Sequence, residues 1–447
     1  MCPLLVANLD IVVLSLRMEK YILGAGMTGL AAGMSSGIRV LEAEESPGGI
    51  CSSYYMRPGE KDRLSEPPSD GDAFRFEIGG GHWIFGGDPL VLDLIRRLVP
   101  VKKYVRRSSV YFSDQQLFVP YPIQNNLRYL DPKSARNIIS EIGDTGGPSR
   151  TLKEWTANSF GPTLSNLFFH PFHERYTAGL YDQITPQDSY KSPVNRAHVL
   201  EGAESTPSAV GYNVEYIYPR GGLDNLARNL ASRCNVLYGK RITEIDLENK
   251  TIRLSNKDVR GYRQLISTLP LNTVMRLSGL EAEMAPDPAT SVLVLNIGAE
   301  RGPGCPDAHW LYIPDSKSGF HRLGFYSNVD KSFLPASSRA GQDRVSIYVE
   351  TAYRHGKPTD IEIEQYSESV ISELQDWGFT GKIETVDPTW IEVAYTWSYP
   401  DSAWRKQALE MLRDRGIFQV GRYGRWIFQG IADSIRDGLV AGSSFAK

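Results

Sequence analysis

The residues with the clearest chemical spacing are Gly24, Gly26 and Gly29, in the run Lys20-Tyr-Ile-Leu-Gly-Ala-Gly-Met-Thr-Gly. Gly24 permits a tight turn, Gly26 lets the backbone approach a pyrophosphate, and Gly29 allows a helix to pack closely on a strand. The helix N-terminus then faces the negative charge. The run starts as an apolar strand and ends in small, helix-compatible residues, and a second strand, Ile38-Arg-Val-Leu, ends in Glu42. A carboxylate at that place accepts hydrogen bonds from an adenosine ribose. Strand, glycine turn, helix, second strand and acid in this order specify a βαβ dinucleotide site, which NAD and FAD satisfy equally.

The choice between the two rests on Ser46-Pro-Gly48-Gly49. An acid followed closely by a glycine pair resembles the loop beneath the FAD pyrophosphate and ribityl chain in glutathione-reductase-like flavoproteins, and this selects FAD; a Pro-Gly-Gly surface turn is the ordinary alternative. His82 stands in the glycine-rich run Gly79-Gly-Gly-His-Trp-Ile-Phe-Gly-Gly, too rich in glycine for a regular element and expected as a loop near the flavin. His170 and His173 share an i, i+3 spacing, but no third ligand accompanies them, so no metal is assigned. Cys2, Cys51, Cys234 and Cys305 form no CxxC or Cys/His pattern and read as free thiols in a reducing compartment.

These residues need a large scaffold to position them. The chain has 447 residues, 41% of them hydrophobic and 23% charged, as in an ordinary globular protein of two or three domains. A net charge of −3 gives no electrostatic case for nucleic acid or an anionic membrane. The opening MCPLLVANLDIVVLSL is short for a membrane span and lacks a basic leader region, so the protein reads as cytoplasmic; because Met18 directly precedes the strand-like Glu19-Lys-Tyr-Ile-Leu, residues 1–17 read as an extension upstream of the fold.

The periodicity predicts strands at Phe74–Ile78, Ser109–Phe112, Leu117–Val119, Asn213–Tyr218, Cys234–Leu237, Ile242–Leu247 and Thr251–Leu254, with helices at Pro89–Val99 and Gly222–Arg233, and Leu265-Ile-Ser-Thr-Leu-Pro resembles the strand that re-enters the dinucleotide-binding sheet in glutathione-reductase-like flavoproteins. Arg57 to Asp72 reads as an exposed loop. Further strands are expected at Ser291–Ile297, His309–Ile313, Arg322–Tyr326 and Val345–Glu350. The expected fold is α/β: a discontinuous Rossmann-like FAD-binding domain (18–88, 211–275 and 415–447), a helical insertion (124–205), and an antiparallel substrate-binding sheet domain (89–123 and 276–414).

Several segments together resemble UDP-galactopyranose mutases, more the eukaryotic-like branch than the common bacterial one. Gly80-Gly-His82-Trp-Ile-Phe is similar to the GGHxIF loop of that branch, and Val119-Pro-Tyr-Pro-Ile-Gln-Asn-Asn-Leu to its VPYPxQNN segment. Asn166-Leu-Phe-Phe-His-Pro-Phe-His-Glu-Arg-Tyr is a looser match. Tyr218-Pro-Arg-Gly-Gly, Phe325-Tyr-Ser-Asn, Tyr395-Thr-Trp-Ser-Tyr-Pro and Gly421-Arg-Tyr-Gly-Arg-Trp follow in family order. The resemblance implies an isomerase with no net redox change, in which N5 of reduced FAD attacks the anomeric carbon of a nucleoside-diphosphate sugar. The adduct opens to an iminium and recloses through another hydroxyl, interconverting pyranose and furanose rings. A reductant must first supply electrons, NAD(P)H being one candidate, and a homodimer is one candidate assembly.

The resemblance also distributes roles. Gly81, His82 and Arg422 are expected against the flavin, with Asp433 and Ser434 in the turn that follows. Arg322 matches a diphosphate-binding arginine, since guanidinium stays charged and binds bidentately, and is expected with His82 to serve catalysis. Arg196 is the candidate second arginine, and Tyr395, Tyr326 and Asn328 are candidate substrate contacts. Tyr395 and Tyr399 donate hydroxyls to phosphate or pack as core aromatics. The chain departs from the family after Trp426: it reads Ile427-Phe428-Gln429-Gly430 where the family carries a hydroxyl-bearing aromatic and then an Asp-His-Ser-like turn. Phe428 cannot donate that hydrogen bond, which leaves the substrate open. The alternative function is an oxidase or dehydrogenase of the amine oxidase and protoporphyrinogen oxidase group, whose apolar substrates need no paired arginines.

Overall fold

The structure is a computed structural model that describes residues 18–142, 148–186, 195–205 and 214–446. The expected extension at residues 1–17 lies outside them, as does Asn213 at the start of one expected strand.

Glu19–Leu23 lies inside a seven-stranded sheet ordered Ile242–Asp246, Thr251–Leu254, Val259–Ser267, Glu19–Leu23, Arg39–Leu41, Val236–Leu237, with Ile417–Gln419 pairing on Val259–Ser267. It runs parallel to both neighbours, Leu23 opposite Leu41 on one side and Ser267 on the other. Ile22 and Leu23 are fully buried, because helices cover both faces of such a parallel core. Helix Met27–Ser36 leaves the glycine turn and stops at Gly37, whose φ of 69° gives the left-handed cap. Helix Ile431–Phe445 packs on it through glycines one turn apart: a Cβ at Gly438 would lie 2.1 Å from the Thr28 carbonyl oxygen, and one at Gly442 2.3 Å from that of Ala32.

A second seven-stranded sheet is ordered Thr380–Thr396, Ala289–Arg301, Arg344–Tyr353, Arg322–Phe325, Trp310–Tyr312, Ser108–Phe112, Leu117–Pro120. The expectation of an antiparallel sheet needs one correction: Trp310–Tyr312 pairs with Ser108–Phe112 in parallel. The two strands are far apart in sequence, so no hairpin dictates their direction. The sequence analysis also lacks the edge strand Thr380–Thr396. Its register with Ala289–Arg301 shifts at bulges and places Pro388 opposite Leu295, an edge being where a strand tolerates proline. Glu215–Pro219 pairs with Val101–Val105, and Phe74–Glu77 with Ser53–Met56, in separate two-stranded ribbons.

The helices Pro132–Glu141, Leu152–Leu164, His170–Tyr176 and Arg196–Glu204 share an apolar cluster with Val110, Phe112 and Val119 at the end of the second sheet. Thr151 and Glu154 form a capping box that starts the second of these. Gly161, with φ 74°, and Pro162 kink it, and the chain then passes through the π-helical turn Ser165–Phe169. The wider turn rotates the following residues: Phe168, Phe169 and Phe172 are buried and also line a cavity described below. No helix among the described residues is long and apolar enough to cross a membrane.

Candidate functional site

The dinucleotide end is built on backbone. Gly24 has φ 94°, and a Cβ at Gly29 would lie 1.9 Å from the Gly24 carbonyl oxygen, so the helix can approach the strand only as glycine. A Cβ at Gly26 would meet nothing within 4 Å. That position faces open space, and the helix N-terminus beside it has no side-chain cap, which leaves its amides to an anion. Gly48 and Gly49 both adopt positive φ, 112° and 58°, and the Gly48 amide donates to the Ala25 carbonyl at 2.8 Å. The buried Glu42 carboxylate accepts from the amides of Ala25 at 2.5 Å and Glu44 at 3.0 Å. An uncapped helix start, an open glycine and a carboxylate at the end of the second strand fit the ADP half of FAD.

A cavity of about 290 Å³ is lined by the glycine loop around His82, by strands of the second sheet, by the turn and helix around Phe168–Tyr176 and by the segment Arg422–Asp433. The Gly79–Gly87 loop forms one wall with His82. A Cβ at Gly81 would lie 2.0 Å from the Tyr348 hydroxyl, so the loop backs directly onto the second sheet. Arg422 and Tyr423 form another wall, beside Gly430, Ile431 and Asp433. Helix Ile431–Phe445 starts at Gly430 without a side-chain cap, a second helix N-terminus open to the cavity. Room beside the glycine loop and an uncapped helix start fit the flavin ring.

The electrostatics are set by arginines. Burial, then Arg422 and Arg322, push the His82 imidazole down to about 3, and its Nδ1 is buried without a hydrogen-bond partner. It is neutral at physiological pH. Arg322 donates from Nη2 to the buried Glu350 carboxylate and, at 3.2 Å, to the Tyr395 hydroxyl. Arg422 donates to the Ala394 carbonyl at 3.1 Å, and its guanidinium lies 4.7 Å from the Phe428 ring centroid. Phe428 is thus a cation–π support for Arg422 on the cavity wall.

The cavity therefore brings together Gly81, His82, Arg322, Tyr395, Arg422 and Asp433. Five other candidate contacts lie elsewhere. Arg196 is the first residue of its helix, donates to the Ile142 carbonyl at 3.1 Å, and is not part of the cavity wall. Tyr326 is fully buried, with its hydroxyl on Asn296 Oδ1 at 3.1 Å. Asn328 ties the Pro306 and Ala308 carbonyls at 2.8 and 2.7 Å, because the chain turns into helix Tyr326–Val329 after Phe325 and carries both side chains away from the cavity. Ser434 is buried inside helix Ile431–Phe445, not in a turn. Tyr399 donates its amide to Asp287 at 3.0 Å. His173 reaches the cavity and shares a hydrogen bond with the Phe169 carbonyl at 2.7 Å, and His170 packs against Tyr181.

Two charged residues of the wall escaped the sequence analysis. Arg106 lies in the basic run Lys102-Lys-Tyr-Val-Arg-Arg107 and donates to the Tyr121 carbonyl at 3.0 Å. Glu350 closes a predicted strand as a lone acid after apolar residues, and that isolation in a buried strand was the available signal.

Three solved structures are similar in fold. A reduced UDP-galactopyranose mutase matches with a TM-score of 0.79 and 22% identity over 95% of both chains. A putative protoporphyrinogen oxidase from Exiguobacterium sp. 255-15 matches at 0.66 and 14%, over 96% of this chain and 99% of that one. Putrescine oxidase bound to putrescine matches at 0.56 and 14%, with the same coverage. The family model described as flavin containing amine oxidoreductase spans residues 30–441 and indicates a flavin cofactor, in agreement with the glycine turn and Glu42. This chain belongs to the flavin containing amine oxidoreductase family.

Proposed function

We propose that the protein is a flavin-dependent isomerase that interconverts pyranose and furanose forms of a nucleoside-diphosphate sugar. The observation that carries the reading is the presence of Arg106, Arg322 and Arg422 on the wall of one cavity with His82. A site for an apolar substrate gains nothing from desolvating cations, whereas a departing diphosphate needs them. The fold shared with the mutase over nearly its whole length supports the same reading.

Bound flavin supplies an electron-rich ring that reacts with the sugar, after reduction by an external donor such as NAD(P)H. The chain's own residues do the rest. Gly26 and the helix start behind it hold the cofactor's phosphates. His82, neutral and beside the glycine loop, presents hydrogen-bonding capacity without adding charge. Arg322 and Tyr395 bind the diphosphate and keep it near the reacting carbon. Phe168, Phe172 and Tyr176 exclude water from the far end.

The oxidase reading is favoured by a different observation: the Arg322 charge is balanced by Glu350, and much of the cavity wall is aromatic. The test is anaerobic incubation of reduced and oxidised protein with UDP-, GDP- and dTDP-hexoses, with ring isomers resolved by chromatography. Isomers formed only by reduced protein establish the isomerase. No isomer from any donor, with oxygen consumed on an amine or porphyrinogen, establishes the oxidase.

A further inference from the structure

Arg322 and Glu350 face each other in register on neighbouring strands, so their side chains share one face of the sheet, and both reach the cavity. Arg322 spends Nη2 on Glu350 and Tyr395, while its Nε is buried without a hydrogen-bond partner. Glu350 is 1% exposed. An anion entering this cavity would meet an arginine already neutralised, and a carboxylate beside it that repels the newcomer.

We infer that Glu350 is a specificity-determining gate on Arg322: an anionic substrate binds this arginine only as Glu350 takes up one proton from solvent and releases the guanidinium. This rests on the reading that the substrate carries phosphate. The proton goes to a Glu350 carboxyl oxygen, the Arg322 Nη2 bond to that carboxylate is replaced by one to the anion, and the total charge in the site changes by the anion's charge plus one.

The groups around Glu350 leave it as the titrating member. Arg322 faces it from the neighbouring strand and Tyr395 from strand Thr380–Thr396; Tyr348 lies on its own strand, and Tyr326 and His321 flank it. Burial raises the three tyrosines out of reach, and burial with Arg322 beside it keeps His321 neutral. Burial also raises Glu350 itself, while Arg322 opposes that rise. Protonation becomes accessible when an arriving anion takes over the arginine. Because a proton is taken up, anion affinity falls as pH rises.

The probe is inorganic sulfate, whose charge is fixed between pH 5 and 9. Its binding is followed on the flavin-loaded full chain by the visible flavin spectrum, and by titration calorimetry in buffers of different ionisation enthalpy. Glu350→Gln should bind sulfate roughly tenfold more tightly than wild type and without proton uptake, and adding Arg322→Met should abolish the gain. Equal or weaker binding by Glu350→Gln, including none by either protein, overturns the gate. Should the variant lose its flavin, the wild type alone decides: about one proton taken up per sulfate supports the gate, and sulfate bound with none overturns it. Ring isomers formed from a sugar nucleotide while the gate fails would separate this inference from the isomerase reading.

Discussion

The carboxylate of Glu42 accepts a hydrogen bond from the Ala25 amide at 2.5 Å. This contact closes the glycine turn from the second strand, and the Gly48 amide closes it from the other side through the Ala25 carbonyl at 2.8 Å. The loop that must pass a pyrophosphate is thus held by its neighbours and not by its own side chains. The surroundings of Gly26 and Gly29 then make opposite demands.

Gly26→Ala should fold and lose flavin, since its Cβ enters open space where the cofactor's phosphates are expected. Gly29→Ala should lose stability, because its Cβ meets a backbone carbonyl at 1.9 Å, an overpacking cost of about 1–3 kcal/mol or more. Thermal unfolding and flavin absorbance of the purified variants separate the two. A Gly26→Ala protein with full flavin content would refute the assignment.

Glu77 is fully buried, accepts from the Tyr218 hydroxyl and from Ser53 at 3.0 Å, and is pushed up to about 7 by burial against the opposing pull of Arg75. A carboxyl raised in the folded state stabilises most when both states are protonated. That contribution is complete below its ordinary value of 4.5 and is lost as pH rises through about 7. Unfolding midpoints should therefore fall between pH 5 and 8 more steeply for wild type than for Glu77→Gln. Parallel curves would show that Glu77 ionises normally.

The imidazole of His82, held down to about 3, should not titrate between pH 5 and 8. Nitrogen-15 chemical shifts of labelled histidines, with the resonance assigned by its loss in His82→Gln, check this. A titration near the ordinary value of 6.5 would mean that water reaches the ring and that the arginines do not act on it.

Arg322→Ala should lower kcat/KM for the sugar-nucleotide substrate by the cost of losing a buried charge contact, about 2–5 kcal/mol. Arg196→Ala should leave it within about threefold, because that guanidinium lies off the cavity wall. Initial rates on reduced protein distinguish them, and equal losses would restore Arg196 to the substrate site.

Much of the fold was legible because its signals are local. The alternating strands at Ser108–Phe112 and Leu117–Pro120, and the amphipathic helix Pro89–Leu98 with Asp88 capping Leu90, follow from neighbouring residues. Thr380–Thr396 was not legible. Its bulges break the alternation and Pro388 interrupts it, and only pairing with Ala289–Arg301 makes it a strand. The candidate site divides in the same way. Gly24, Gly26, Gly29 and Glu42 were singled out by spacing, whereas Tyr326 and Asn328, singled out by order along a strand, lie off the cavity wall because that order does not say where the strand ends and the chain turns inward.

The sequence by itself determined the dinucleotide turn and its acid, since a backbone held by glycines needs nothing distant to take its shape. Tertiary structure alone decided which arginines face the cavity, that Arg322 is matched by Glu350, and that Phe428 supports Arg422. The physical reason is that these contacts join residues from different strands and loops. Their distances depend on register, on a π-helical turn and on the close approach of Gly81 to Tyr348, none of which leaves a periodic trace in the chain.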